Sequence, residues 1–210
     1  MSPKAKALEA PENDPVPAEK ERACHRIFSA ACDLFYRKGI RAVGVEAIAE
    51  QAHATKMSLY RTYPSKDELV AQYLRRESEL ELQRWDERIA RHPGDPRKQL
   101  SVLFSELTNL TSDPASRGCA MANAAVELQE DHPAKRVIRE HKQELGKRMR
   151  ALCRETGAKH PDQLGDALML LFRGAFSARL VHEGREQIAV VAAAAKALLD
   201  SASLGDNASR

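Results

Sequence analysis

No run of apolar residues in this chain approaches the roughly 20 that a membrane span needs, and the first residues lack the apolar stretch of a secretory signal. A spanning protein is thereby set aside, and the expected location is the cytoplasm. The four cysteines, Cys24, Cys32, Cys119 and Cys153, form no CxxC and share no paired spacing, so reduced thiols are expected and no metal site. There is no HExxH, no Walker-type Gly-Lys-Ser/Thr and no GxSxG. His132, Glu140 and His141 are scattered without a shared helical spacing. An enzyme is therefore not expected, and neither is a cofactor. The period-two alternation of a half-buried strand is also missing, which leaves an all-α chain.

What is present is ordinary in amount and uneven in placement. At 210 residues the chain has ample material for a core, with 43% hydrophobic and 30% charged residues. The formal charge is only +3. Between Glu19 and Lys66, however, nine Lys and Arg face five Asp and Glu, so this segment alone carries the whole positive excess. A basic segment of this kind binds phosphates in a salt-dependent way, although a solvated helical face has the same composition.

Helical periodicity and breakers order the rest. Residues 1–17 hold Pro3, Pro11, Pro15 and Pro17 among small and charged residues and read as a disordered tail, with Lys4 and Lys6 available as a basic arm. Glu19 to Lys38 repeats Ala23, Ile27, Ala30, Ala31, Leu34 and Phe35 on one face and stops at Gly39. A long helix from Lys66 to about Arg91 follows the central stretch, then a break at His92-Pro93-Gly94-Asp95-Pro96 and a helix to Thr111 that includes Leu110. A small-residue helix after Gly118 comes next, then one from His132 to Thr156. Another begins near Pro161 and takes in Leu180, and the last runs from Arg185 to Asp200. About nine helices are expected, divided into a DNA-binding unit at 18–66, a second helical unit at 67–201 and a polar tail at 202–210.

The central stretch, VEAIAEQAHATKMSLYRTYPSK from Val45 to Lys66, is the most specific. Val45, Ile48, Ala49 and Ala52 make one buried helical face. Thr55 is placed to cap a second short helix, Pro64 ends it, and Ser65 with Glu68 has the spacing of a capping box. Two short helices across a tight turn, the second polar and cationic outside, describe a helix-turn-helix with its recognition helix presented to a major groove. Ile48-Ala49, Ala52, Thr55-Lys56, Ser58-Leu59-Tyr60-Arg61, Tyr63-Pro64-Ser65-Lys66-Asp67 and Leu69 together resemble the N-terminal domain of the TetR family of transcriptional regulators. The family usually has Gly-Val in the turn where this chain has His53-Ala54, and Thr-Ser just before the motif where it has Val43-Gly44. On this reading Lys56, Met57 and Ser58 meet base edges: Lys56 donates to guanine, Met57 packs on a thymine methyl and Ser58 takes several partners. Thr55, Tyr60, Arg61, Tyr63 and Lys66 complete the DNA-binding set, with Thr55, Tyr60, Tyr63 and Lys66 placed for phosphates; the alternative for Tyr60 or Tyr63 is a place partly in the core, where Leu59 is expected.

The resemblance implies a helical C-terminal region that dimerises and holds an effector. The last two helices, at about 162–183 and 185–200, are apolar over more than one narrow stripe, which suits a four-helix interface between two copies of the chain, or burial within one copy. Candidate effector-binding residues are Trp85, Phe104, Met121, Asn123, Glu127, His141, Phe172, Arg173 and Phe176, although aromatic and methionine residues at helical spacing belong to a core more often than to a pocket, and His141 on an apolar stripe fits a hydrogen-bonded core histidine better than a ligand contact. Cys119 is the candidate reactive thiol, since Arg117 is close in sequence and a helix begins nearby, both of which lower a thiol pKa. Some relatives with a similar Arg-Gly-Cys segment sense electrophiles or oxidants, while a buried inert cysteine is the favoured reading of the residue itself. The expected protein is thus a homodimeric repressor that binds a palindromic double-stranded operator and is released by a small-molecule effector. A thiol-sensing repressor, an activator of the same fold, and an architectural DNA binder without an effector are the alternatives.

Overall fold

Short capping sequences set where each helix begins. In the computed structural model, which describes residues 17–107, 117–179 and 185–204, the Thr55 hydroxyl accepts from the Ser58 amide at 3.1 Å and the Ser65 hydroxyl from the Glu68 amide at 3.1 Å. Asp95 accepts from the Lys98 amide at 2.9 Å, with Pro96 in the first turn. Each such cap satisfies a backbone donor that the helix cannot, and contributes about 1 kcal/mol. Only half of the expected capping box forms, because the Glu68 carboxylate is held by Arg75 at 3.0 Å. The first helix is stopped by Gly39, whose φ of +90° is open to glycine and strained for other residues.

Among the described residues there are nine helices and no strand: α1 (Pro17–Lys38), α2 (Val45–Gln51), α3 (Lys56–Thr62), α4 (Lys66–Ile89), α5 (Pro96–Ser105), α6 (Ala120–Glu127), α7 (Ala134–Glu155), α8 (Pro161–Arg179) and α9 (Arg185–Leu204). The all-α expectation holds. Boundaries differ by a few residues: α7 begins after His132, because the His132 imidazole stands outside the helix and its Nδ1 accepts from the Ala134 amide at 3.1 Å. The expected tail at 1–16, the continuation of the fifth helix through Leu110 and Thr111, Leu180 and the end of the C-terminal tail at 205–210 lie outside the described residues.

The buried side chains form two clusters. In the first, Ile27, Ala31, Leu34 and Phe35 of α1 pack on Ile48, Leu59, and Leu69, Val70, Tyr73 and Leu74 of α4, joined by Met121 and Ala124 of α6 and Val137 and Ile138 of α7. The second gathers Trp85 of α4, Leu100, Leu103 and Phe104 of α5, Leu145, Met149, Leu152 and Cys153 of α7, Leu168 and Phe172 of α8, and Ala195 and Leu199 of α9. α4 and α7 therefore run through both. α9 is further tied to α5 by the Arg97 guanidinium, which donates to the Leu199 carbonyl at 2.9 Å.

The most extensive helix contact is between α7 and α8. Leu145, Met149, Leu152 and Cys153 meet Leu164, Leu168 and Phe172 there, and Arg150–Asp166 (2.6 Å) and Arg154–Asp162 (2.8 Å) close its edge. The approach is as tight as backbones permit: a methyl group on Gly165 would sit 2.9 Å from the Arg150 Cα. Gly146, on α7, has only the end of the Arg150 side chain nearby, at 3.8 Å. The two glycines should therefore answer alanine with opposite signs. Gly165→Ala is expected to lose about 1–3 kcal/mol by overpacking, and Gly146→Ala to gain about 0.5–1 kcal/mol of helix propensity, both read by urea denaturation.

Candidate nucleic-acid interface and internal cleft

The turn between α2 and α3 is held by its own backbone and by α1. The Ala54 amide donates to the Ala49 carbonyl at 2.9 Å and the His53 amide to Glu50 at 3.1 Å, with His53 at φ +49°. This is the left-handed conformation for which glycine is the usual choice, and histidine is among the residues that tolerate it. From α1, Arg26 Nε donates to the Ala52 carbonyl at 3.2 Å, and Asp33 accepts from the Gln51 amide side chain at 3.0 Å. Cys24 Sγ lies 3.2 Å from the Thr62 hydroxyl. The second helix is thus fixed relative to the first before any ligand arrives.

α3 has one buried anchor, Leu59. Its other face carries Lys56, Met57 (71% exposed), Tyr60 (48% exposed) and Arg61. Ser58 is half-buried, with its hydroxyl 3.0 Å from that of Thr55. Lys56 forms an exposed ion pair with Glu46 of α2 at 2.5 Å, which holds the Glu46 carboxyl below its ordinary range. An exposed pair of this kind is worth little to stability but pre-orients the lysine along the outer face of the motif.

Two of the expected phosphate ligands sit differently from the rest. Tyr63 is 6% exposed and stacks on Phe28, with ring centroids 6.4 Å apart, and burial pushes its hydroxyl pKa up. Its ring closes the core beneath α3, so Tyr63 is corrected to a packing residue. The Lys66 ammonium donates to the Ile40 carbonyl at 2.7 Å and lies 6.0 Å from the centre of the Phe35 ring. Desolvation pulls its pKa down. Lys66 thereby ties the first turn of α4 to the segment between α1 and α2, and of its three donors one is committed there.

A second concave feature lies between the two clusters. Cys32, Asp33 and Tyr36 of α1, Glu77, Glu81 and Arg84 of α4, Gly118 to Met121, and Phe172 and Phe176 of α8 enclose a cleft of about 550 Å³, with Arg76 and Arg88 also on its walls. Of the expected effector residues it brings together Met121, Phe172 and Phe176, together with Cys119. Trp85 and Phe104 stand behind this wall, each edge-on to Phe172 at 6.1 Å, and both are 2% exposed. Phe104 also borders a separate cavity of about 390 Å³ beside α9.

The other expected liners are employed elsewhere. The Asn123 side chain donates to the Arg117 carbonyl at 2.8 Å, and Glu127 accepts from the Arg41 amide at 2.9 Å. Arg173 is exposed and donates to the Lys142 carbonyl at 3.0 Å. His141 is buried behind α4, with Nδ1 2.8 Å from the Ser78 hydroxyl and Nε2 3.1 Å from Glu81. The residues that sequence reasoning missed are the charged ones of α4. Glu77, Glu81, Arg84 and Arg88 recur at i, i+4, i+7 and i+11 along one helix face, and that spacing was the available signal.

Cys119 does not meet the conditions expected of a reactive thiol. Burial pushes its pKa up, the Glu81 carboxylate adds to the rise, and the Met121 and Ala122 amides at the start of α6 oppose it without prevailing. Arg117 faces away: its guanidinium donates to the Arg37 carbonyl at 3.0 Å and to the Tyr36 carbonyl at 3.4 Å. Across the cleft, Cys32 is pushed up to about 11 by burial. Both sulfurs are held in the poorly nucleophilic thiol form.

A buried-anchor, cationic-faced second helix fixed across a tight turn is the geometry of a helix-turn-helix. The family model described as "Bacterial regulatory proteins, tetR family" matches residues 27–73. A putative TetR transcriptional regulator from Streptomyces avermitilis is 30% identical, with a TM-score of 0.76 over 86% of this chain and 98% of that one. The chain belongs to the TetR family. A TetR-family regulator from Streptomyces coelicolor shares the fold at 24% identity, with a TM-score of 0.78 over 87% of this chain and 97% of that one. The HTH-type transcriptional repressor KstR of Rhodococcus jostii is 32% identical over 129 residues, which are 58% of this chain and 58% of that protein. The KstR of Mycolicibacterium smegmatis is 30% identical over 56% of this chain and 60% of its own length. The matches thus cover less than two thirds of these curated relatives. Among the described residues no helix is long and apolar enough to cross a membrane.

The division of the two tyrosines is directly testable. Tyr63→Ala should lower stability by about 3 kcal/mol, the cost of emptying a buried aromatic site. Tyr60→Ala should change it by less than about 0.5 kcal/mol, as surface substitutions do. Chemical denaturation of the two variants checks both.

Proposed function

We propose that the protein is a homodimeric transcriptional repressor that binds a palindromic operator and is released by a small molecule held in the cleft. The observation that carries the DNA reading is the asymmetry of α3: Leu59 is fully buried, while Lys56, Met57, Tyr60 and Arg61 stand in solvent on a helix short enough to enter a major groove. Lys56, Met57 and Ser58 are assigned to base edges, and Thr55, Tyr60, Arg61 and the remaining donors of Lys66 to phosphates. Repression, as against activation, is supported by the two relatives that carry the name repressor.

Dimerisation through α8 and α9 is supported by what these helices leave uncovered. Leu170 is 70% exposed and Val190 66%. Ala193 and Ala197 follow Val190 on the outer face of α9. Large aliphatic side chains left bare on adjacent helices mark a contact surface. An isologous pair through this face would present two recognition helices to two half-sites. Residues 18–66 serve as the DNA-binding unit and 67–201 as the effector and dimerisation unit, with a cytoplasmic location.

Release is assigned to the segment that joins cleft and head. The Arg117 amide donates to the Tyr36 hydroxyl at 2.9 Å, the Tyr36 hydroxyl lies 3.3 Å from the Gly118 carbonyl, and the Arg117 guanidinium holds the last carbonyls of α1. Gly118, Cys119, Ala120 and Met121 are cleft wall. An occupant that binds better to a displaced wall than to the one described would move α1 with it and shift the spacing of the heads. The thiol alternative lacks the electrostatics it requires.

Selection of bound duplexes from a random pool tests the assignment. A palindromic consensus is expected, lost when Tyr60→Ala and Arg61→Ala are combined; no enrichment, or enrichment unchanged in that variant, would refute it. Leu170→Glu with Val190→Glu should give a monomer by sedimentation and weaken operator binding at least about tenfold, since the two half-sites are no longer bound together.

A further inference from the structure

We infer that the occupant of the cleft is a lipophilic cation, with an apolar body seated on Phe172, Phe176 and Met121 and its charge held by Glu77 and Glu81. This rests on the reading of the cleft as the effector site and names the ligand class that its walls select.

Six ionisable side chains with resident charge face the cleft: Asp33, Arg76, Glu77, Glu81, Arg84 and Arg88. Four of them are already balanced or in water. Asp33 is paired with Arg37 at 2.6 Å and also accepts from Gln51. Arg88, only 12% exposed, is paired with Glu106 at 3.0 Å, and Arg91 reinforces the same carboxylate at 2.8 Å. Arg84 is exposed at the rim, and Arg76 is half-exposed. The thiols of Cys32 and Cys119, both pushed up by burial, contribute no charge.

Glu77 and Glu81 differ from these four. Their side chains are each 24% exposed, and they stand one helical turn apart on α4 facing the same space. Like charges at that spacing repel, and more strongly away from water. The nearest cation to Glu77 is Arg76 at 3.6 Å, beyond good hydrogen-bonding distance, and burial pushes the Glu77 carboxyl above its ordinary range. Glu81 has His141 Nε2 at 3.1 Å, and one imidazole tautomer satisfies both this contact and Ser78. The cleft thus holds two partly desolvated carboxylates that repel each other; Arg76 and Arg84, both solvent-exposed, oppose the rise at Glu77 without overcoming desolvation. Opposite them, Phe172 and Phe176 meet edge-on at 5.6 Å. Aromatic faces beside carboxylates suit a cation that is large and weakly hydrated. An anion entering the same space would meet both carboxylates, and the cations it could find are Arg76 and Arg84, which are exposed, and Arg88, which Glu106 already holds.

The chain contains a single tryptophan, Trp85, and its edge-on contact with Phe172 makes its fluorescence a reporter of the cleft. Tetraphenylphosphonium and tetraphenylborate have nearly the same shape and opposite charge, so titrating each against the full-length protein separates charge from fit. The phosphonium ion is expected to change Trp85 emission saturably and to bind at least about tenfold more tightly than the borate, the size of one partly desolvated ion pair. Glu77→Gln with Glu81→Gln should lose that preference, and Glu79→Gln, exposed on the same helix, should keep it. Glu77→Gln alone decides if the double variant does not melt cooperatively. Equal binding of the two ions, preference for the borate, or phosphonium binding undiminished in the glutamine variants would overturn the proposal. If the borate binds and releases the selected operator, the cleft stands as effector site and only its charge preference falls. If neither ion moves Trp85, both readings fall together.

Discussion

A single uninterrupted helix has to satisfy two hydrophobic cores. The first turns of α4 bury Leu69, Val70, Tyr73 and Leu74 under the helix-turn-helix, and its last turns bury Trp85 among α5, α7 and α8. Between Leu74 and Trp85 no side chain of α4 is fully buried. Apart from Leu80 and Leu82, of which Leu82 packs partly buried on the second core, the side chains in the middle of the helix are polar and partly solvated. The cleft is the consequence. Its charged wall, its position between the two clusters and its closeness to α1 all follow from asking one rod to be packed at both ends and free in between.

The same constraint explains why the N-terminal core recruits residues from far along the chain. α1, α2 and α3 are short or narrow in apolar face, and their core is completed by Met121, Ala124, Val137 and Ile138. Polar contacts follow the same route. Glu127 accepts from the Arg41 amide, and its carboxylate lies where a side chain on Gly39 would have to go, at 3.1 Å. His132 Nε2 is 3.3 Å from Asp67 at the start of α4. The head is thus mechanically continuous with α6 and the beginning of α7, and the unit boundary expected near residue 66 marks a change of role more than a gap in packing.

Legibility along the sequence tracks how local each feature is. Helix starts at Thr55, Ser65 and Pro96, the break before α5 and the stripe of α7 from Ile138 to Leu152 were readable because each depends on residues within one or two turns. The recognition helix was readable for the same reason, whereas the geometry of its turn, with His53 at a positive φ, was decided only by the structure. Which of Tyr60 and Tyr63 enters the core was not readable, since that depends on Phe28, thirty-five positions from Tyr63, lying beneath it. The cleft was half-legible: Met121, Phe172 and Phe176 were expected and converge, whereas Asn123, Glu127, His141 and Arg173 satisfy other partners. Glu77 and Glu81 were passed over because charges spaced along a helix read as a solvated face. For Cys119 the inert reading is the one that the burial of the thiol supports, and the reactive alternative loses its support because nearness to Arg117 in sequence does not fix where a guanidinium points.

The sequence by itself determined the all-helical class, the order of the elements, the helix-turn-helix and the residues on its outer face, because periodicity, caps and breakers act over a few residues. Only the tertiary structure decided which side chains share a cavity, which charges keep a partner, which thiol is buried and which tyrosine is core. Those outcomes depend on distances between segments that are far apart in the chain, and desolvation, which sets the charge state of a group in such a place, has no local signature there.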